Sequence, residues 1–207
     1  LLIPTSLSKL FIEYTMSEEN QLMKFTLKML PVMLYPYIYM ICLVIYFIIY
    51  DKVDNSTAMQ SNGMLILLAL AIVCNLYSLI VVVVNMVLAA KGKYKAIDLV
   101  RMNMNIKLAH IPAYMVHFGL GMVGLLASVW GIGFILWAVL IDLLTIGLTG
   151  MNGISACISA RKEGLLSKGM TVLFAITNFI YCVDVLCAIL IFDKLKKSKE
   201  ASEKVVK

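Results

Sequence analysis

A chain of 207 residues that is 62% hydrophobic, only 14% charged and of mean hydropathy +0.94 cannot hide its apolar surface inside one water-soluble core. Soluble domains are about half apolar and about a quarter charged, so this composition excludes an ordinary soluble domain and makes a lipid bilayer the solvent for much of the chain. The net charge of +6 comes mainly from Lys and Arg at the ends of apolar runs, which suits anionic lipid headgroups; nucleic acid is not an expected partner.

In chain order, residues 1–28 mix charged and apolar side chains too evenly for a signal peptide and read as an amphipathic, cytoplasmic N-terminal segment, with Met16 and Met23 as candidate internal starts. About 20 apolar residues cross a bilayer as a helix. The first such run covers residues 29–50 and the second 64–90, with a polar loop at 51–63 between them. Asn55, Ser56 and Thr57 in that loop match a glycosylation acceptor, a short pattern of little weight by itself. Residues 91–107 are basic, and Ile97, Val100 and Met104 share a face, as in a short helix lying on a membrane surface. From 108 to 153 the chain is almost continuously apolar, too long for one span. SVWGIG at 128–133 supplies turn glycines and an interfacial Trp130, which divides the run into spans at 108–128 and 132–160. RKEGLLSK (161–168) is a polar hairpin, 169–192 a fifth span, and 193–207 a Lys-rich solvated tail. The expected architecture is all-α: a polytopic transmembrane helix bundle of about five spans over residues 29–192, multi-pass in the plasma membrane.

The Lys/Arg bias places the N-terminus in the cytoplasm, with eleven of these residues inside against seven outside. Five spans nevertheless leave the tail's six lysines on the outside. Four spans with one re-entrant segment is the alternative.

Each span carries a polar stripe. Neighbours on one helical face sit at i, i+3, i+4 and i+7. From Asp142 that stepping meets Ala138, Thr145, Thr149, Asn152, Ala156 and Ser159, with Gly153 and Cys157 widening the stripe. The third span gives His110, Tyr114, His117, Gly121, Gly124 and Ser128, and the second Ala71, Asn75, Ser78, Val82, Asn85 and Ala89. The fifth gives Thr177, Asn178, Tyr181, Asp184 and Ala188, and the first Tyr35, Tyr39, Cys42, Tyr46 and Tyr50. Lipid tails offer no hydrogen bonds, so such stripes turn toward one another and form a seam inside a bundle.

Asn75, His117, Asp142 and Asp184 lie near the middle of their spans and are expected to meet at one level. There they form a candidate ion, proton or substrate site, with His117 paired to one carboxylate and the second carboxylate protonated. Asn85, Tyr114, Thr145, Thr149, Asn152, Asn178 and Tyr181 make the supporting seam. The competing explanation is a buried hydrogen-bonded cluster that fixes helix register. No catalytic motif, metal-ligand spacing or cofactor motif is present, so no catalytic residue, metal or cofactor is assigned and an enzyme is the least favoured reading. Ser78 and Ser128 read as small interhelical donors. Cys42, Cys74, Cys157, Cys182 and Cys187 lie in apolar runs and read as buried hydrophobes. Pro31, Pro36 and Pro112 are placed near helix starts. Gly119, Gly121 and Gly124 could seat a second copy or a partner membrane protein as easily as a neighbouring span. Two function classes follow: a small transporter, or the membrane component of one, with a midplane polar site; or a non-catalytic interaction or immunity-type protein whose seam is structural.

RMNMNIKLAHIPAYMVHFGLG (101–121), TGMNGISA with EGLLSKG (149–169) and FIYCVDVLCAI (179–189) resemble an uncharacterised family of small polytopic membrane proteins of Gram-positive bacteria. The likeness covers roughly residues 23–192 and rests on Asn105, Lys107, His110, Pro112, Gly150, Gly153, Gly164, Ser167, Lys168 and Asp184. It implies a multi-span bacterial protein and brings no activity.

Overall fold

The computed structural model of the chain describes residues 27–42, 44, 45, 48 and 57–205. Residues 1–26, Tyr46, Tyr50 and Asn55, on which parts of the sequence reading rest, lie outside the described residues. Those described form α1 (Leu27–Cys42), α2 (Thr57–Ala90), α3 (Ala96–Leu126), a 3-10 turn (Ser128–Gly131), α4 (Ile132–Lys162), α5 (Lys168–Thr177) and α6 (Val183–Val205), with no strand among them. The fold is an all-α bundle. Ile72–Ala90, Ala96–Leu126 and Ile135–Lys162 are long and apolar enough to cross a membrane. Large aliphatic and aromatic side chains such as Ile80, Met115, Phe118, Leu125, Leu136 and Leu143 face outward. The polar residues Ser78, Asn85, Asn103, Lys107, His110, His117, Thr149 and Asn152 are buried. That arrangement inverts the pattern of a soluble domain and is the one lipid demands.

Four helices run alternately up and down. Met29 meets Asn85 while Tyr35 and Tyr39 meet Asn75, so α1 and α2 are antiparallel. A tight turn joins α3 to α4, where Gly131 sits so close to Gly124 that an added Cβ would lie 1.8 Å from the Gly124 carbonyl oxygen. The helix ends follow from local chemistry. Gly92 and Gly164 adopt φ of 71° and 74°, and the next residues, Lys93 and Leu165, donate back to Leu88 and Ala160. These are the left-handed closures that glycine makes without steric cost.

One end of the bundle is welded by side chains from the end of α4 and its loop. Lys95, at the start of α3, provides no side-chain cap, and the Glu163 carboxylate instead accepts from the Ala96 amide at 2.6 Å. Ser159 donates to the Tyr94 carbonyl at 2.9 Å, and Lys162 donates to the Ala90 carbonyl at the end of α2. A carboxylate at a helix N-terminus and an ammonium at a C-terminus both complement the helix dipole.

Two expected elements differ. The basic stretch 91–107 is not a separate surface helix: α3 starts at Ala96 and continues unbroken through Pro112, which is therefore interior. Asn103, Lys107 and His110 extend the inward polar face, and burying them draws the whole stretch into the bundle. The expected fifth span, 169–192, is two helices. α5 descends alongside α4, so that Asn178 and Phe179 seat on Gly153 and Gly150. α6 then returns antiparallel to α3: Asp184 pairs with Lys107, and Phe192 lies under the Arg101 guanidinium. The ten residues of α5 rise about 15 Å, half of a hydrocarbon core of about 30 Å. α5 and α6 thus form a hairpin with both outer ends at the same end of the bundle as the α2–α3 turn.

Gly131→Ala should destabilise the bundle by about 1–3 kcal/mol, the cost of overpacking against rigid backbone. Gly119→Ala, whose Cβ meets nothing within 4 Å, should melt like wild type. Thermal melts of both variants in detergent check the difference.

Candidate functional site

The stripe stepped out from Asp142 is the inner face of α4. Ala138, Thr145, Thr149, Asn152, Ala156 and Ser159 are all buried. The threonine hydroxyls bond within their own helix, Thr145 to the Ile141 carbonyl at 2.7 Å and Thr149 to the Thr145 carbonyl at 2.9 Å. This satisfies them without a partner helix and leaves a smooth surface against which another helix can pack.

The tip of the α5–α6 hairpin rests on that surface. Residues 178–182 (NFIYC) contain neither Gly nor Pro, and Cys182 takes φ of 63°. Gly150 and Gly153 leave the room: a Cβ on either would lie 2.5 Å from the Phe179 ring or 2.3 Å from the Asn178 amide oxygen. Amides on both sides of the reversal are paired, Phe179 with the Ile176 carbonyl, Ile180 with Thr177 and Asp184 with Ile180.

Lys107 holds the tip. Its Nζ lies 2.6 Å from Asp184 Oδ2, 3.2 Å from the Asn178 carbonyl and 3.4 Å from Thr149 Oγ1, and neither charged side chain is exposed at all. All three ammonium protons are therefore accounted for. The cation also sits at the carbonyl end of α5 and the anion in the first turn of α6, the favourable dipole placement for each. Beside this pair runs an amide ladder: Asn103 Nδ2 donates to Asn178 Oδ1 at 3.2 Å, and Asn152 Nδ2 reaches Asn103 Oδ1 at 3.5 Å.

A second pair lies two turns along α4. His117 Nδ1 is 2.6 Å from Asp142 Oδ1, with the imidazole fully buried and the carboxylate side chain 15% exposed. The Trp137 ring stands edge-on to the imidazole, centroids 5.2 Å apart. The seven residues from Asp142 to Thr149 put the two pairs about 10 Å apart along the axis. The Tyr114 and Tyr181 rings meet at a 55° tilt, centroids 5.3 Å apart, within electrostatic reach of both carboxylates. Four atoms of the two pairs and the residues around them are buried with no hydrogen-bond partner: His117 Nε2, Tyr114 Oη, Asn152 Oδ1 and Asp184 Oδ1.

The His117–Asp142 pair lines a groove of about 660 Å³ between α3, α4 and the hairpin tip. Its walls are apolar, formed by residues such as Phe118, Met122, Ile135, Val139, Phe179 and Ile180, with the Tyr181 side chain at one edge. Among the described residues no three of His, Cys, Asp and Glu gather as a metal cage.

The four expected site residues thus do not form one cluster. Asp142 and His117 pair with each other; Asp184, expected to take up a proton, has a cation of its own in Lys107. Asn75 is bonded instead to the Tyr35 and Tyr39 hydroxyls of α1, the first at 2.5 Å. His110, expected near the membrane surface, is fully buried and donates through Nε2 to the Met33 carbonyl at 3.0 Å. The neighbouring Val32 carbonyl, deprived of its amide partner by Pro36, also faces that imidazole. Of the supporting residues, Asn85 donates to Met29 Sδ at 2.8 Å, and Thr149, Asn152 and Asn178 belong to the hairpin seat. Sequence reasoning left Lys107 and Asn103 outside the site. Continuing the α3 stripe backward from His110 by three and by seven residues would have found both.

Lys107→Met alone leaves the Asp184 carboxylate buried without its cation and should cost about 3–5 kcal/mol. Lys107→Met with Asp184→Leu removes both charges and should recover most of that loss. Melting temperatures of the single and double variants provide the check.

No curated protein and no solved structure matches the chain. A family model does: by its match over residues 25–197, the chain belongs to the family of unknown function DUF6652.

Proposed function

We propose that this protein is a small proton-coupled transporter, or the membrane component of one, in the bacterial plasma membrane. The observation that carries the reading is the His117–Asp142 pair, 2.6 Å apart and lining a groove of about 660 Å³ rather than sealed in packing. An imidazole–carboxylate pair in low dielectric can gain or lose a proton at the place where a solute would sit. The hairpin tip forms one wall of the same groove, so a movement of that tip would alter access to the pair.

In this reading α1 to α4 cross the membrane and α5–α6 is re-entrant. Among the described residues every Lys and Arg except the buried Lys107 then falls at or beyond one face, which the positive-inside bias makes the cytoplasmic one. The tail's lysines are no longer stranded. Broken helices that meet at mid-depth are a recurrent way to build a transport site.

A second reading has its own support. Lys107 is fully satisfied and the amide ladder is packed, as expected of a seam that only fixes register. The protein would then be a non-catalytic interaction or immunity-type protein acting through the exposed Lys91, Lys93 and Lys95 turn.

Reconstituted into liposomes with an imposed pH gradient, the wild type should dissipate the gradient when a transported solute is supplied from a library of small amphiphiles. Asp142→Asn should lower that initial rate at least tenfold with little change in melting temperature. Equal rates in the two proteins, together with loss of biological effect on neutralising Lys91, Lys93 and Lys95, would move the assignment to the second reading.

A further inference from the structure

The groove beside Asp142 has apolar walls and a single polar focus. Phe118, Met122, Ile135, Val139 and Phe179 offer a solute nothing but van der Waals contact. The carboxylate is the one strong acceptor there: Oδ1 is held by His117, and the side chain keeps 15% of its surface open. Asp184 and Lys107 are sealed away with no exposed surface and cannot contribute. From this geometry we infer that the groove binds a lipophilic primary ammonium, its apolar body against the α3 and α4 walls and its N–H groups on Asp142. The inference rests on the transport reading above and names the substrate class of the same site.

Charge balance supplies the coupling. When both imidazole nitrogens carry protons, the cationic ring and the Asp142 carboxylate sum to zero. When Nε2 is bare, the pair carries one negative charge. A net charge is costly in such surroundings, so the pair must be neutralised either by a proton on Nε2 or by an ammonium on the carboxylate. Binding both would leave a net positive charge. Nε2 has no hydrogen-bond partner to retain its proton. An arriving ammonium therefore releases that proton to water, one for one, while Nδ1–H stays on Oδ1. The titratable groups facing the pair are Tyr114 from α3, Tyr181 from the hairpin tip and, more distantly, Asp184 of α6 beside Lys107. Among the described residues the tyrosine hydroxyls are the nearer of these.

Trp137 reports on the site, because its ring stands edge-on to His117. With Trp130→Phe it becomes the sole tryptophan of the chain. In nanodiscs of zwitterionic phosphatidylcholine, Trp137 emission should show a pH transition that Asp142→Asn removes. Below that transition, octylammonium should change the emission saturably and release one proton per amine bound; 1-octanol and octanoate should do neither. Asp142→Asn should weaken the octylammonium response at least tenfold. Gly121→Leu, which fills free space on the groove wall, should do the same while still folded by its melting temperature. A pH transition that is present but indifferent to octylammonium overturns the ligand class and leaves the proton site standing. Equal binding of octanol, or amine binding without proton release, also overturns it. Absence of any pH transition sinks the ligand class and the transport reading together.

Discussion

The ion pair between Lys107 and Asp184 is the constraint on which the rest of the structure depends. Two unlike charges with no exposed surface lie 2.6 Å apart where the chain reverses between α5 and α6. Either alone would be a severe liability in a medium without water. Together, and with the Asn178 carbonyl and Thr149 hydroxyl completing the ammonium's shell, they give the hairpin one place to stop. The return of α6 along α3 follows, and so does the gathering of the basic segments at one end of the bundle.

The two buried pairs differ in kind. Lys107–Asp184 is enclosed and central to packing, its ammonium fully satisfied while Asp184 Oδ1 has no partner. His117–Asp142, about two turns away, borders a groove and keeps an unpartnered ring nitrogen. The first pair is sealed from its surroundings; the second keeps part of its carboxylate open. Tyr181 of the tip packs at a tilt against Tyr114 and lines the groove, so the hairpin tip that the first pair anchors also shapes the space the second one faces. The fold thus separates the residue pair that holds the tip from the residue pair that borders the groove.

Much of the inner face was legible in the sequence. Stepping three and four residues from Asp142 gives a stripe whose members are small or polar, and every other residue on it is buried. That reasoning works because helical geometry is local and the outward side chains are uniformly apolar. The hairpin was not legible in the same way. NFIYC carries no Gly or Pro, and hydropathy measures how apolar a run is, not which way it travels. The reversal depends on tertiary contacts, the space above Gly150 and Gly153 and the grip of Lys107. Lys107 itself was hidden by its neighbours, since a lysine in a basic run reads as surface. The sign that could be read was electrostatic: five full crossings left six tail lysines on the disfavoured side. The level of the four candidate residues was also beyond the sequence, because span midpoints do not specify which side chain takes which partner.

The most direct measurement concerns the side on which the chain ends. In a cysteine-free background, single cysteines at position 93, in the α2–α3 turn, and at position 200, in α6, are labelled in sealed vesicles of known orientation with a membrane-impermeant maleimide. A hairpin that turns back at Lys107 predicts that both positions react from the same face. Labelling of the two from opposite faces would show that residues 168–205 traverse the bilayer, and would contradict the account at its centre.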